Sequence, residues 1–443
     1  MSDGAIDMRE AARQARERAY AEPIETLNPA QSALFEADAM WPYFERLRRE
    51  DPVHFTPEAD FAAHWSITKY NDIMEVDTNH EVFSSEGGIT LPPSEAAVER
   101  MIAEGGGPGA GDSMFSGPDQ SGPKMFIAMD PPKHDVQRKT VSPAVSPHNL
   151  AIMEPLIRER AAAILDSLPI GEPFDWVDKV SMELTAMTLA TLFGMPQEHR
   201  RRLTRWSDVV MARPGHGIVD SWEQKRAEMF EYGGYFMNLW NERLNAPPEG
   251  DLISMLAHGP ETRGMNQFEY LGNVILLTIG GNDTTRNTIS GSVYALNKNP
   301  DQYAKLRADP SLIPSMVSET IRWQTPLAHM KRTAKVDYEL GGKRIRAGDV
   351  VVMWYVSGNR DESEIENPNA YVIDRERPRH HLSFGFGIHR CVGNRLAELQ
   401  LRVIWEEILK RFPDIQLLEE PKRTYSTFVK GYERMMVEIP RRR

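Results

Sequence analysis

One stretch of the sequence concentrates residues suited to redox chemistry: Phe384-Gly385-Phe386-Gly387-Ile388-His389-Arg390-Cys391-Val392-Gly393. It holds the only cysteine in 443 residues. Residues 394–412 carry a helical pattern, with Leu396, Leu399, Val403, Ile404 and Ile408 on one face and Arg395, Glu398, Arg402 and Glu406 on the other. Cys391 is therefore expected in a glycine-punctuated loop at a helix N-terminus. Free backbone N–H groups and the positive helix end favour a thiolate there. A thiolate so held can bind a soft or redox-active metal axially. Taken alone, a single cysteine is more often a small buried hydrophobe; its neighbours shift the balance.

A second stretch, Gly280-Gly281-Asn282-Asp283-Thr284-Thr285, lies inside a long aliphatic and β-branched helical pattern over residues 268–297. That pattern is expected to form the central buried helix. Two glycines inside a helix cost about 1 kcal/mol each relative to alanine. They are expected to permit a local opening of the helix or the close approach of a flat ligand. An acid beside an alcohol at such an opening can meter protons without flooding a site.

Phe384, Gly387, His389, Cys391 and Gly393 match Phe-x-x-Gly-x-(Arg/His)-x-Cys-x-Gly, and Gly281, Asp283 and Thr284 match Gly-x-Asp-Thr. On these residues the chain resembles the cytochrome P-450 superfamily of haem-thiolate monooxygenases. The resemblance implies a mainly α fold with small β-sheets, a triangular helical prism around a buried haem, in one domain over residues 1–443. Residues 1–30 would be an N-terminal tail or helix. Residues 84–125 and 203–222 would be substrate-access lids, the first lined by Ile89, Leu91, Met101, Ile102, Met114 and Phe115.

The resemblance also assigns roles. Cys391 is the axial ligand of the iron of haem b, with Phe384 packed on the macrocycle and Gly387 and Gly393 shaping the loop. His134, Arg138, Arg332 and His389 neutralise the propionates. Asp283 and Thr284 form the oxygen-activation pair. Glu319 and Arg322 form a buried structural ion pair joined by Arg375. Asp130 is expected to cap the helix that carries His134 and Arg138. With no flavin or iron–sulfur module in sight, O2 is the co-substrate and NAD(P)H electrons arrive indirectly, from a separate [2Fe-2S] ferredoxin with its ferredoxin reductase. Lys124, Lys133, Lys139, Arg390, Arg395 and Arg402 are candidates for the basic docking face of such an acidic partner.

The runs around Asp283 and Cys391, with Phe428-Val429-Lys430-Gly431-Tyr432, resemble the bacterial alkane and fatty-acid terminal (omega) hydroxylases. A terminal C–H bond is stronger than an internal one, so terminal attack needs a narrow pocket. Leu276, Leu277, Ile279, Gly280, Leu327, Phe428 and Val429 are the expected constriction. The alternatives are a hydroxylase of a terpenoid or other cyclic apolar substrate, and a haem-thiolate sensor without turnover. Composition bounds the rest. A net charge of −12 argues against nucleic acid as a partner. No apolar run approaches the roughly 20 residues of a transmembrane anchor, so a cytoplasmic protein is expected.

Overall fold

The computed structural model describes residues 7–106 and 124–443. Met114 and Phe115, expected in the first lid, lie outside the described residues. The chain is mainly helical, with small sheets at its margins.

The central helix, Gln267–Lys298, runs unbroken for 32 residues. Asn266 starts it, its side chain accepting from Glu269 N–H at 3.0 Å. From Thr285 to Leu296 every residue is buried, the signature of a helix enclosed on all sides. Several of its polar groups there find partners, as burial demands. Ser290 meets Ser181 at 2.8 Å, Ser292 accepts from Trp405 Nε1 at 2.8 Å, and Asn287 accepts from Tyr432 N–H at 3.0 Å. No helix among the described residues is long and apolar enough to cross a membrane.

The helix after the cysteine loop, Asn394–Arg411, turns its apolar face into the main core against the Pro147–Asp166 helix. The main sheet has five strands in the order Val53–Thr56, His64–Ile67, Val350–Met353, Met330–Ala334, Phe83–Ser84. Only the contact of His64–Ile67 with Val350–Met353 is parallel. The Val350–Met353 strand ends where the chain turns at Trp354. Trp354 turns inward, donating Nε1–H to Ser66 Oγ at 3.0 Å and stacking on Phe35, and a short helix, Tyr355–Gly358, follows.

Asp130 does not cap the His134 helix, which begins at Lys133. Its carboxylate instead accepts from Ser84 Oγ at 2.7 Å and Ser85 N–H at 3.1 Å. This pins the helix entry to the edge of the sheet.

The structure brings Glu319, Arg322 and Arg375 together. On the Ile313–Gln324 helix, Arg322 grips both Glu319 oxygens at 2.7 Å, and Arg375 Nε reaches Glu319 Oε2 at 2.9 Å. Arg322 also donates to the carbonyls of Asn359, Pro368 and Ala370, and Arg375 to those of Glu366, Asn367 and Ala370. Two guanidinium groups thus organise the irregular chain that leads toward the cysteine loop. Removing one partner leaves a buried charge uncompensated. Arg322→Ala is expected to destabilise the protein by about 3–5 kcal/mol, read as a lowered denaturant midpoint.

Candidate active site

The cysteine loop is shaped by its backbone. Cys391 N–H donates to Phe384 C=O at 2.8 Å, closing it. Gly387 has φ 63°, and a Cβ there would lie 2.5 Å from the Asp77 carbonyl oxygen, so only glycine fits. The N–H groups of Gly393 and Asn394, at the start of the Asn394–Arg411 helix, point at the Cys391 sulfur. These donors do not prevail. Burial pushes the Cys391 thiol up, against the downward pull of those amides and of Arg138 and Arg390. The amides act in the expected direction, and desolvation outweighs them; a cation bound at the sulfur would favour the thiolate.

Cys391 lies deep in the protein yet open to a cavity of about 1640 Å³, a figure that includes space continuous with solvent. Phe384, Gly393 and Leu396 form the wall around the sulfur. Leu276, Leu277, Ile279, Gly280 and Thr284 of the central helix form another, completed by Leu327 and Phe428. Nothing lies within 4 Å of where a Cβ on Gly280 would sit, whereas one on Gly281 would meet Leu189 Cδ2 at 2.6 Å. One glycine therefore faces open space and its neighbour serves helix packing. Ile89 lines the cavity, while Leu91 packs into a separate cluster near Trp354 and Ile102 is exposed.

Two expectations fail here, and two further expected residues sit behind the wall. The helix does not open at the glycine pair; Thr284 Oγ1 instead donates back to Gly280 C=O at 2.7 Å within an unbroken helix. Asp283 does not line the cavity. It turns to the Arg200–Met211 helix, where it accepts from Ser207 Oγ at 2.9 Å. Val429 is buried away from the cavity, bridged antiparallel to Leu327. His134 is not at the wall either; it pairs Nδ1 with Asp135 Oδ1 at 2.8 Å and sets its ring 4.4 Å from that of His389.

The cavity's basic groups gather at one end, where Arg138, Arg332 and His389 meet it beside Tyr355. Arg138 is anchored to the Arg390 carbonyl. Arg332 donates to Asp77 Oδ1 at 2.8 Å, and Asp77 Oδ2 accepts from Tyr355 OH at 2.9 Å and Phe386 N–H at 2.8 Å. Asp77, at the end of the Tyr70–Thr78 helix, thus ties the sheet to the cysteine loop. Burial raises its carboxyl and Arg332 pulls it back down. No local signal in the sequence marks Asp77, which is 255 residues from Arg332. The same holds for Ser207 and Asp208.

With these positions in view, comparison with known proteins is direct. A family profile described as Cytochrome P450 matches residues 222–438. Linalool 8-monooxygenase of Pseudomonas putida is 36% identical over 89% of this chain and 94% of its own length. The methyl-branched lipid omega-hydroxylase of Mycobacterium bovis is 31% identical over 89% and 90%. The solved structure of CYP153D17 from Sphingomonas sp. PAMC 26605 superposes with a TM-score of 0.82 at 46% identity, covering 92% of this chain and 98% of that one. The chain belongs to the cytochrome P450 family and has the cytochrome P450 fold. It is a P450 monooxygenase, a class that uses haem, O2 and electrons derived from NAD(P)H.

The residues present fit a haem. His389 Nδ1 and Nε2 and His134 Nε2 are buried without a hydrogen-bond partner among the described residues. Burial, then the charges of Arg332, His134 and Arg138, push the His389 imidazole down to about 2. Unpaired donors and two guanidinium groups at one end of an apolar slot call for an acidic ligand there. A flat group with carboxylates at one edge meets that demand, and the lone sulfur faces the same space. Among the described residues no carboxylate forms an ion pair with Arg138, so its substitution tests this without breaking one of the ion pairs seen there. Arg138→Gln is expected to speed haem transfer to an apo-globin acceptor by about tenfold or more, the worth of one charge-assisted hydrogen bond. The denaturant midpoint of the haem-free protein should be unchanged.

Proposed function

We propose that this P450 oxidises the terminal carbon of a medium-chain alkane or fatty acid. The observation behind the reading is the cavity wall formed by Leu276, Leu277, Ile279 and Gly280, faced by Leu327 and Phe428. Bulky aliphatic side chains beside an open glycine position leave a slot suited to a linear chain presented end-on. The methyl-branched lipid omega-hydroxylase among the relatives supports attack at a chain end.

In this reading Cys391 ligates the haem iron, Phe384 packs on the ring, and Arg138, Arg332, His389 and His134 hold the propionate edge. Haem so held supplies O2 activation: one oxygen atom enters the substrate C–H bond and the other leaves as water, consuming two electrons and two protons. Thr284 presents its hydroxyl to the cavity, and Asp283 stores the proton behind it. The apolar walls exclude bulk water, so protons reach the site only through such groups. Electrons come from a separate [2Fe-2S] ferredoxin and its reductase. Among the basic residues expected to dock it, Lys133 is engaged with Glu269, and Arg402 with Glu154 and Glu406. Arg390 and Arg395, both exposed beside Cys391, remain the better candidates.

A second reading, oxidation of a terpenoid, is favoured by the 36% identity to linalool 8-monooxygenase. Spectral titration of the ferric protein with n-octane, dodecanoic acid and linalool in parallel separates them. A saturable high-spin shift with a linear chain, and primary alcohol as the main product, is the expected result. A shift with linalool alone would replace the linear-chain reading with the terpenoid one. Phe428→Ala, which widens the slot, is expected to move several-fold more product from the terminal to internal carbons, measured by gas chromatography.

A further inference from the structure

Polar side chains of two helices meet where the Arg200–Met211 helix crosses the central helix. Asp283 is only 2% exposed. Its Oδ1 accepts from Ser207 Oγ and from Asn282 Nδ2, each at 2.9 Å, and lies 3.3 Å from Arg286 Nη2. The same Nη2 donates to Asp208 Oδ1 at 2.6 Å. A single guanidinium nitrogen thus faces two carboxyl groups and sits closer to Asp208. All three donors converge on one oxygen of Asp283, and Oδ2 takes none of them. Arg286 Nε and Nη1 are buried without a partner among the described residues.

Counting charges decides where a proton must sit. Two ionised acids around one guanidinium would leave a net negative charge in a buried site. The Asp208 side chain retains 21% exposure, so water solvates it. Asp283 has no such help. Burial raises its carboxyl, Arg286 lowers it, and the charge of Asp208 raises it again. From the neighbouring strand Tyr432–Arg434, Glu433 also acts on Arg286, but Lys422 pairs with it at 2.7 Å.

We propose that Asp208 is a positioning residue that occupies Arg286 and thereby keeps Asp283 protonated, with the proton on Oδ2 and Oδ1 acting as the carbonyl acceptor for Ser207. The proton is then stored one residue from Thr284. When Asp283 gives it up, the new carboxylate lies beside Arg286, whose unpartnered N–H groups can turn to it. A proton from solvent, entering on the Asp208 side, restores the acid. Because Ser207 and Asp208 lie on one helix and Asp283 and Arg286 on the other, the packing of the two helices sets this balance.

The inference rests on Asp283 being the proton source in the proposed function, but it can be tested without substrate or turnover. The carbonyl stretch of a protonated carboxyl, assigned to Asp283 by its loss in Asp283→Asn, is followed by infrared spectroscopy against pH in the haem-loaded protein. Asp208→Asn frees Arg286 for Asp283, so the midpoint should fall by about one pH unit or more. Asp208→Glu keeps the charge and should restore the original midpoint, which a merely structural role of Asp208 would not require. If Asp208→Asn does not fold, Arg286→Gln gives the opposite reading, an upward shift. A midpoint unmoved or raised in Asp208→Asn, or a wild-type band absent near neutral pH, overturns the proposal. Coupling of NAD(P)H consumption to product in the same variants reports separately on Asp283 as proton source. An infrared shift with unchanged coupling would uphold the charge assignment and remove the catalytic reading.

Discussion

A thiol enclosed by apolar walls resists losing its proton, and the site depends on overcoming that resistance at Cys391. The loop aims the amides of Gly393 and Asn394 at the sulfur and places Arg138 and Arg390 nearby, yet burial still dominates. A cation bound at the sulfur would tip that balance. The loop's glycines shape the backbone around that sulfur. Gly387 lets the chain pass against the Asp77 carbonyl, and the Cys391-to-Phe384 hydrogen bond closes the loop.

The second constraint follows from the first. A slot apolar enough to exclude water must still hold charged groups, and each must be matched. Arg332 and Asp77 match each other, with Tyr355 and the Phe386 amide closing the network. Arg138 and His389 are left to a ligand. Farther away, Arg322 and Arg375 share Glu319 and collect the surrounding carbonyls. Such networks contribute geometry more than stability. Here they join segments far apart in sequence to the loop that carries Cys391.

What could be read from the sequence was local. The cysteine loop, the glycine pair with Thr284 and the Glu319–Arg322 spacing are contiguous or helical patterns, in which residue type and interval carry the chemistry. The apolar cavity wall on the central helix was legible for the same reason. Long-range pairings were not. Asp77 looks like an ordinary helix-end acid until the fold sets it under Arg332. The direction of Asp283 could not be read from its adjacency to Thr284. On a helix, neighbours in sequence point about 100° apart, and the acid turns to Ser207 instead. Val429 differs from Phe428 because it is bridged to Leu327 while Phe428, at a bend, reaches the cavity.

The central claim is that Cys391 sulfur binds the iron of a haem in this cavity. X-ray absorption at the iron edge of the purified, haem-loaded protein tests it most directly. The account predicts a first shell of four nitrogens with one sulfur, the sulfur being lost in Cys391→Ala. A sulfur-free shell in the wild-type protein, or one unchanged by that substitution, would contradict it.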